Sequence, residues 1–173
     1  MADIRSLPAL ADRRPLTSPQ VTLSALPEGT VLQVIAGPKT PDLTRLAVEA
    51  ELVARAIAPG QWFLVGNRPT AHQDMRRVLA MLEPDASGID QSHGRVRMLV
   101  EGPMAAAVLS KGTAVDLDPT VFPPGTTAAT LVGHVSAHLT RLDNEAFEIT
   151  VLRGFAAALW DDLALMCAEY LQP

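Results

Sequence analysis

The chain is a series of short apolar stretches separated by proline, glycine and acidic breaks, and the spacing inside each stretch distinguishes strands from helices. Val21 to Leu26 and Thr30 to Ile35 are apolar and β-branched around Pro27-Glu28-Gly29. They read as two strands, or as one interrupted strand entering the fold. Lys39-Thr40-Pro41-Asp42 is a breaker, and Leu43 to Glu51 fits a helix or a loop. Leu52 to Ala58 and Trp62 to Gly66 flank Pro59-Gly60-Gln61 and predict a hairpin, because a Pro-Gly turn between two apolar runs folds the chain back on itself. From Thr70 to Leu82, Met75, Val78, Leu79 and Leu82 recur at helical spacing with Arg76 and Arg77 turned outward, and the helix ends at Pro84.

Asp85 to Gly88 reads as a linker that divides the chain into two α+β halves, 21–84 and 88–173, preceded by a polar tail or partner-binding arm over 1–20. Arg95 to Val100 begins in alternation and ends apolar, as a strand entering a core does. Gly102-Pro103 stops it, since proline lacks the ladder N–H yet suits the first turn of a helix. That helix covers Met104 to Ser110, with Met104, Val108 and Leu109 inward, and Gly112 ends it. Ala129 to Leu142 and Phe147 to Leu152 predict a second hairpin across Asp143-Asn144-Glu145. The last helix, Arg153 to Leu171, carries Phe155, Leu159, Leu163, Met166 and Tyr170 as one apolar stripe. Trp160 lies about 100° from Leu159, at the core edge or as an interface anchor.

Composition bounds the function. With 173 residues, 48% apolar and 19% charged, the chain has globular composition, and a domain near this size buries about 70% of its unfolded surface. No apolar run approaches the roughly 20 residues of a membrane span, and the N-terminus lacks the continuous apolar stretch of a secretory signal. The single cysteine, Cys167, excludes an internal disulfide and fits a reducing compartment, so a soluble cytoplasmic protein is expected. The net charge of −5 argues against a nucleic-acid binder. Residues 113–173 hold two Lys+Arg against eight Asp+Glu, a net of −6, which suits a solvated face or a basic partner.

Candidate chemistry is sparse. In Asp90-Gln91-Ser92-His93-Gly94 the Asp and Ser side chains suit local backbone bonding before a strand, so a turn is the expected role. His134 and His138, four apart in a predicted strand, would share a face about 13 Å apart, too far for one metal. Leu131, Val135, Ala137 and Leu139 would fall on the other face. Neither G-x-G-x-x-G, G-x-x-x-x-G-K-[ST] nor G-x-S-x-G occurs. Cys167 within the last helix reads as a buried inert thiol. Asp161 and Asp162, adjacent on a helix, diverge and suit solvation.

Three groups of residues carry a family resemblance over most of Leu52 to Leu163. Asp90-Gln91-Ser92-His93-Gly94 with Arg95-Val96 is the first. Leu109-Ser110-Lys111-Gly112, Val115-Asp116-Leu117 and Val121-Phe122-Pro123-Pro124-Gly125 form the second, in that order. Phe147-Glu148-Ile149, Arg153, Phe155-Ala156 and Leu159-Trp160 close the series, with Gly154 and Ala158 standing where the family has serines. Together they resemble the gamma subunit of heterotetrameric sarcosine oxidase, a remote relative of the folate-binding region of the glycine cleavage T-protein.

The resemblance implies an α+β fold of two small ferredoxin-like or T-protein-like subdomains, with antiparallel sheets packed by helices and a C-terminal helix, forming one gamma-like unit. It implies a non-catalytic structural subunit of a flavoenzyme complex that oxidatively demethylates sarcosine or a related N-methyl amino acid, coupled to tetrahydrofolate. The expected partners are the alpha (large), beta (flavin) and delta (zinc) subunits, which would hold FAD, FMN, NAD, tetrahydrofolate and zinc. No catalytic, cofactor-binding or metal-binding residue is expected in this chain. T-proteins carry acidic residues on a G-x-I-x-D-D strand, and Gly133-His134-Val135-Ser136-Ala137-His138 has none. One-carbon transfer would lack its expected acid there. The alternative is a free-standing folate-dependent aminomethyltransferase-like protein or a folate-binding assembly factor.

Overall fold

The computed structural model describes residues 7–37 and 42–171. Among these residues two antiparallel sheets and four α-helices form an α+β fold. The strands are β1 (Leu16–Thr17), β2 (Thr22–Ala25), β3 (Thr30–Ala36), β4 (Val53–Ala58), β5 (Gln61–Gly66), β6 (Ala86–Asp90), β7 (Arg95–Glu101), β8 (Thr127–Val132), β9 (Val135–Arg141) and β10 (Ala146–Leu152). The helices are α1 (Leu43–Glu49), α2 (His72–Leu82), α3 (Ala105–Ser110) and α4 (Ala156–Cys167). One sheet has the order β1-β2-β7-β10-β9-β8, the other β4-β5-β3-β6.

Strand alternation sorts the side chains into layers. On one face of the six-stranded sheet, Leu23, Met98, Val100, Leu139, Phe147 and Ile149 join residues of α3 and α4 in the larger core. On the outer face of the four-stranded sheet, Leu32, Val34 and Leu64 pack with Leu43 and Leu46 of α1 and Met75, Val78 and Leu82 of α2. The inner faces meet between the sheets, where Val31, Ile57, Phe63 and Val65 form a small third cluster. Central β10, covered on both sides, is buried from Ala146 to Val151.

The helix left open at Leu43 is settled by its ends. The Asp42 carboxylate accepts from the Arg45 N–H at 3.0 Å, a side-chain N-cap. At the other end Leu52 N donates to Ala47 O and Glu51 N to Val48 O, a Schellman closure in which Glu51 takes the left-handed φ of 57° usually held by glycine. The breaker read at Lys39-Thr40-Pro41 lies outside the described residues, as do residues 1–6.

Several expectations are corrected. Asp85 to Gly88 is no linker: Ala86–Asp90 is strand β6, paired with β3, and Gly88 sits under Leu79 and Leu82 of α2 where a side chain would collide. Val21–Leu26 and Thr30–Ile35 are separate strands in different sheets, so β2 pairs with β7 across the expected 21–84 boundary. Ala129–Leu142 is itself a hairpin, β8–β9, turning at Gly133-His134, where Gly133 has φ 59°. Residues 7–20 are not a free tail, because Leu10 is buried in the larger core and Leu16–Thr17 pairs with β2. The C-terminal helix begins as a 3-10 turn, Arg153–Phe155, and buries Ala156, Leu159, Trp160, Leu163 and Cys167. Phe155 is left exposed because the 3-10 turn rotates it off that stripe.

Candidate functional site

The layer between the sheets differs chemically from the aliphatic cores on either side. Its residues come from alternate positions: Arg95 and Arg97 of β7, Glu148 and Thr150 of β10 and His138 of β9 face Gln33 of β3, Arg55 of β4 and Phe63 of β5. Arg97 and Glu148 are both buried and form an ion pair at 3.2 Å. The same guanidinium donates to Gly66 O at 2.8 Å and Asn67 Oδ1 at 2.7 Å, tying β7 to the end of β5. Arg55 reaches across from β4, its Nε 3.8 Å from the second Glu148 oxygen. Two guanidiniums therefore face one carboxylate, and Arg95 adds a third to the layer.

Phe63 organises the rest of the layer. His138 meets it edge to face with ring centroids 4.9 Å apart, and the Arg95 guanidinium lies 5.1 Å from its centroid. Burial, then the Arg95 charge, pushes the His138 pKa down, because both oppose a second cation there. His138 Nδ1 has no hydrogen-bond partner among the described residues. A neutral imidazole and an excess of guanidinium suit this layer to holding an anionic group.

The other sequence candidates do not gather here. The Ser92 N–H and hydroxyl both donate to Asp90 Oδ1, at 2.9 and 2.6 Å, and Ser92 Oγ accepts from Val31 N. Asp90–Gly94 is therefore the expected turn, with His93 exposed. His134 sits in the β8–β9 turn and His138 in β9, so they do not share a strand. Cys167 is buried and its thiol pKa is raised by burial. Trp160 is 3% exposed and belongs to the core. Among the described residues no three His, Cys, Asp or Glu side chains converge as metal ligands. A cleft of about 680 Å³ lies apart from the layer, lined by Glu51, Leu52, Arg68, Thr70, Val78 and Met81.

Many of the residues behind the family resemblance brace the chain. Lys111 donates to Met166 O at 2.6 Å, pairs with Glu169 and lies over the Tyr170 ring, a cation at the C-terminus of α4. Leu117 O and Asn144 O both accept from the buried Arg141 guanidinium, which stacks on Phe147 at 4.4 Å. The Gly125 N–H donates to Arg141 O and the Arg141 N–H to Thr126 O. Arg153 holds Glu28 at 2.9 Å and Leu7 O at 2.6 Å. Sequence reasoning missed the layer as a set, although Glu148 inside the apolar run Phe147–Val151 was its visible sign.

This two-sheet architecture defines a class of domain, and a family model, the GCVT N-terminal domain, matches residues 44–170. The chain belongs to that family. Its fold is shared with a chain of the heterotetrameric sarcosine oxidase from Corynebacterium sp. U-96, solved in complex with pyrrole 2-carboxylate, at a TM-score of 0.81 and 18% identity over 97% of each chain. The likeness to sarcosine oxidase read from the motifs is thus met in the fold. Glycine cleavage system aminomethyltransferase T from Bartonella henselae shares it at a TM-score of 0.59 and 18% identity, over 82% of this chain and 45% of that one. The chain spans less than half of that enzyme. No curated protein matches it in sequence.

Proposed function

We propose that the chain is the gamma-type structural subunit of a heterotetrameric sarcosine oxidase-like flavoenzyme that demethylates sarcosine or a related N-methyl amino acid. The observation that carries this reading is mutual coverage: the chain and its sarcosine oxidase counterpart match end to end, 97% on each side. In this reading the alpha, beta and delta partners hold FAD, FMN, NAD, tetrahydrofolate and zinc, and the chain contributes surface. Strand β9 supports it, for Ala137 and His138 stand at the two acidic positions of the T-protein G-x-I-x-D-D strand, so the acid expected for folate chemistry is missing there.

Expressed alone, the chain is expected to self-associate or precipitate. Co-expression with the flavin subunits of its own organism is expected to recover it in soluble, stoichiometric complex. A stable monomer that ignores those subunits overturns the reading. A second reading, a folate-dependent aminomethyltransferase-like or folate-binding assembly protein, draws on membership of the GCVT N-terminal domain family. Titrating the isolated chain with tetrahydrofolate separates the two, because tight binding favours the second.

A further inference from the structure

The layer between the sheets opens at one end. Ile35 of β3, Ile89 of β6 and Leu152 of β10 occupy inward-facing positions by strand register, paired with Gln61, Gln33 and Arg95 respectively. They are nonetheless 43%, 48% and 43% exposed. Residues that alternation aims between two sheets, yet which reach water, mark a mouth that the chain does not close on itself.

The floor of this mouth is a one-way chain of hydrogen bonds. Arg95 Nε donates to Gln91 Oε1 at 3.3 Å, Gln91 Nε2 to Gln33 Oε1 at 3.1 Å, and Gln33 Nε2 to Gln61 Oε1 at 3.3 Å. Arginine can only donate, so it fixes the orientation of Gln91, and each amide fixes the next. Every amide oxygen in the chain is engaged, while the amide of Gln61 and the remaining N–H groups of Arg95 have no acceptor among the described residues. Arg95 also has no ion-pair partner among them. The mouth therefore presents donors and positive charge, framed by three aliphatic side chains.

We propose that this mouth is a docking surface for a partner chain that inserts an Asp or Glu carboxylate toward Arg95, flanked by apolar side chains over Ile35, Ile89 and Leu152. Charge complementarity selects the carboxylate, since the layer already holds more guanidinium than acid. The exposed aliphatic frame selects a protein segment, because small-molecule sites enclose most of their ligand. The inference rests on the subunit reading for the partner's identity, but its chemistry stands on these residues alone.

The test uses the full chain assembled with its flavin subunits. Hydroxyl-radical labelling is expected to fall at least fivefold at Ile89 and Leu152 on assembly. R95Q and I89D, at partly exposed positions, are expected to stay folded with a cooperative thermal transition while each weakens assembly at least tenfold. Unchanged labelling, or wild-type assembly by both variants, overturns the proposal even though the complex forms. Where no complex forms, the subunit reading fails, and titration with the peptide acetyl-Val-Glu-Val-amide decides the mouth. Saturable NMR shifts of Arg95 Nε–H, larger than with the Gln analogue, uphold it; no shift with either peptide overturns it.

Discussion

The two faces of the six-stranded sheet follow opposite rules. One is apolar over most of its extent, with Leu23, Met98, Leu139, Phe147 and Ile149 packed against α3 and α4 and the buried Arg141 guanidinium stacked on Phe147. The other carries Arg95, Arg97, His138 and Glu148 against the second sheet. Apolar burial is non-directional and stabilises in proportion to area, so the first face supplies cohesion. A buried ion pair adds little net stability, because desolvation offsets its attraction, but it tolerates few geometries. The second face therefore sets how one sheet sits on the other: Arg97 has to meet Glu148, Gly66 and Asn67 together.

That contrast can be broken most sharply at Arg97. Arg97→Met is expected to cost about 3 kcal/mol in urea unfolding, the low end for an orphaned buried partner, since Arg55 lies near enough to Glu148 to take up part of the charge. The double variant R97M/E148M is expected to recover most of that loss. A double variant as unstable as the sum of its parts would make the charged face a source of cohesion. On the aliphatic face Phe147→Ala is expected to cost a similar amount, about 3 kcal/mol, with the loss independent of pH between 5 and 8.

Smaller effects sharpen the same division. Lys111→Met, at the C-terminus of α4, is expected to lower stability by about 0.5 kcal/mol, the size of an exposed helix-end charge. His138 supplies a pH signature that belongs to the charged face alone. Its pKa is lowered in the folded chain, so below the ordinary histidine value of about 6.5 the unfolded chain binds more protons. Stability should therefore fall as pH drops from about 6.5, and H138Q should flatten that slope. An equal slope in H138Q would assign the titration to another group.

How much of this was legible in the sequence follows the same split. The aliphatic faces announce themselves by period, and β5, β7, α2 and α3 sit close to where spacing predicts them. The turn at Asp90–Gly94 was readable because Asp and Ser bond the local backbone whatever surrounds them. Gly133-His134 was not, since a glycine inside an apolar alternation hides a hairpin whose need for positive φ depends on the next strand. Asp85 to Gly88 read as a linker because a short edge strand with Ser87 and Gly88 gains its identity from pairing with β3. The layer was illegible as a site because its members lie far apart in sequence, and a lone Glu148 or Gln33 signals nothing until the sheets meet. The family motifs were legible as a pattern, yet their work became plain only in contact: Lys111 on α4, Leu117 and Arg141 on each other, Arg153 on Glu28.

The role proposed for this chain's inward charge and unclosed mouth is assembly with larger partners. Sedimentation velocity of the 18.4 kDa chain co-expressed with its organism's flavin subunits separates assembly from independence. The chain is expected to move entirely with the flavin absorbance in one fast boundary, at one copy per flavin subunit. A chain that stays in its own slow boundary at micromolar concentration, while binding tetrahydrofolate tightly, contradicts it.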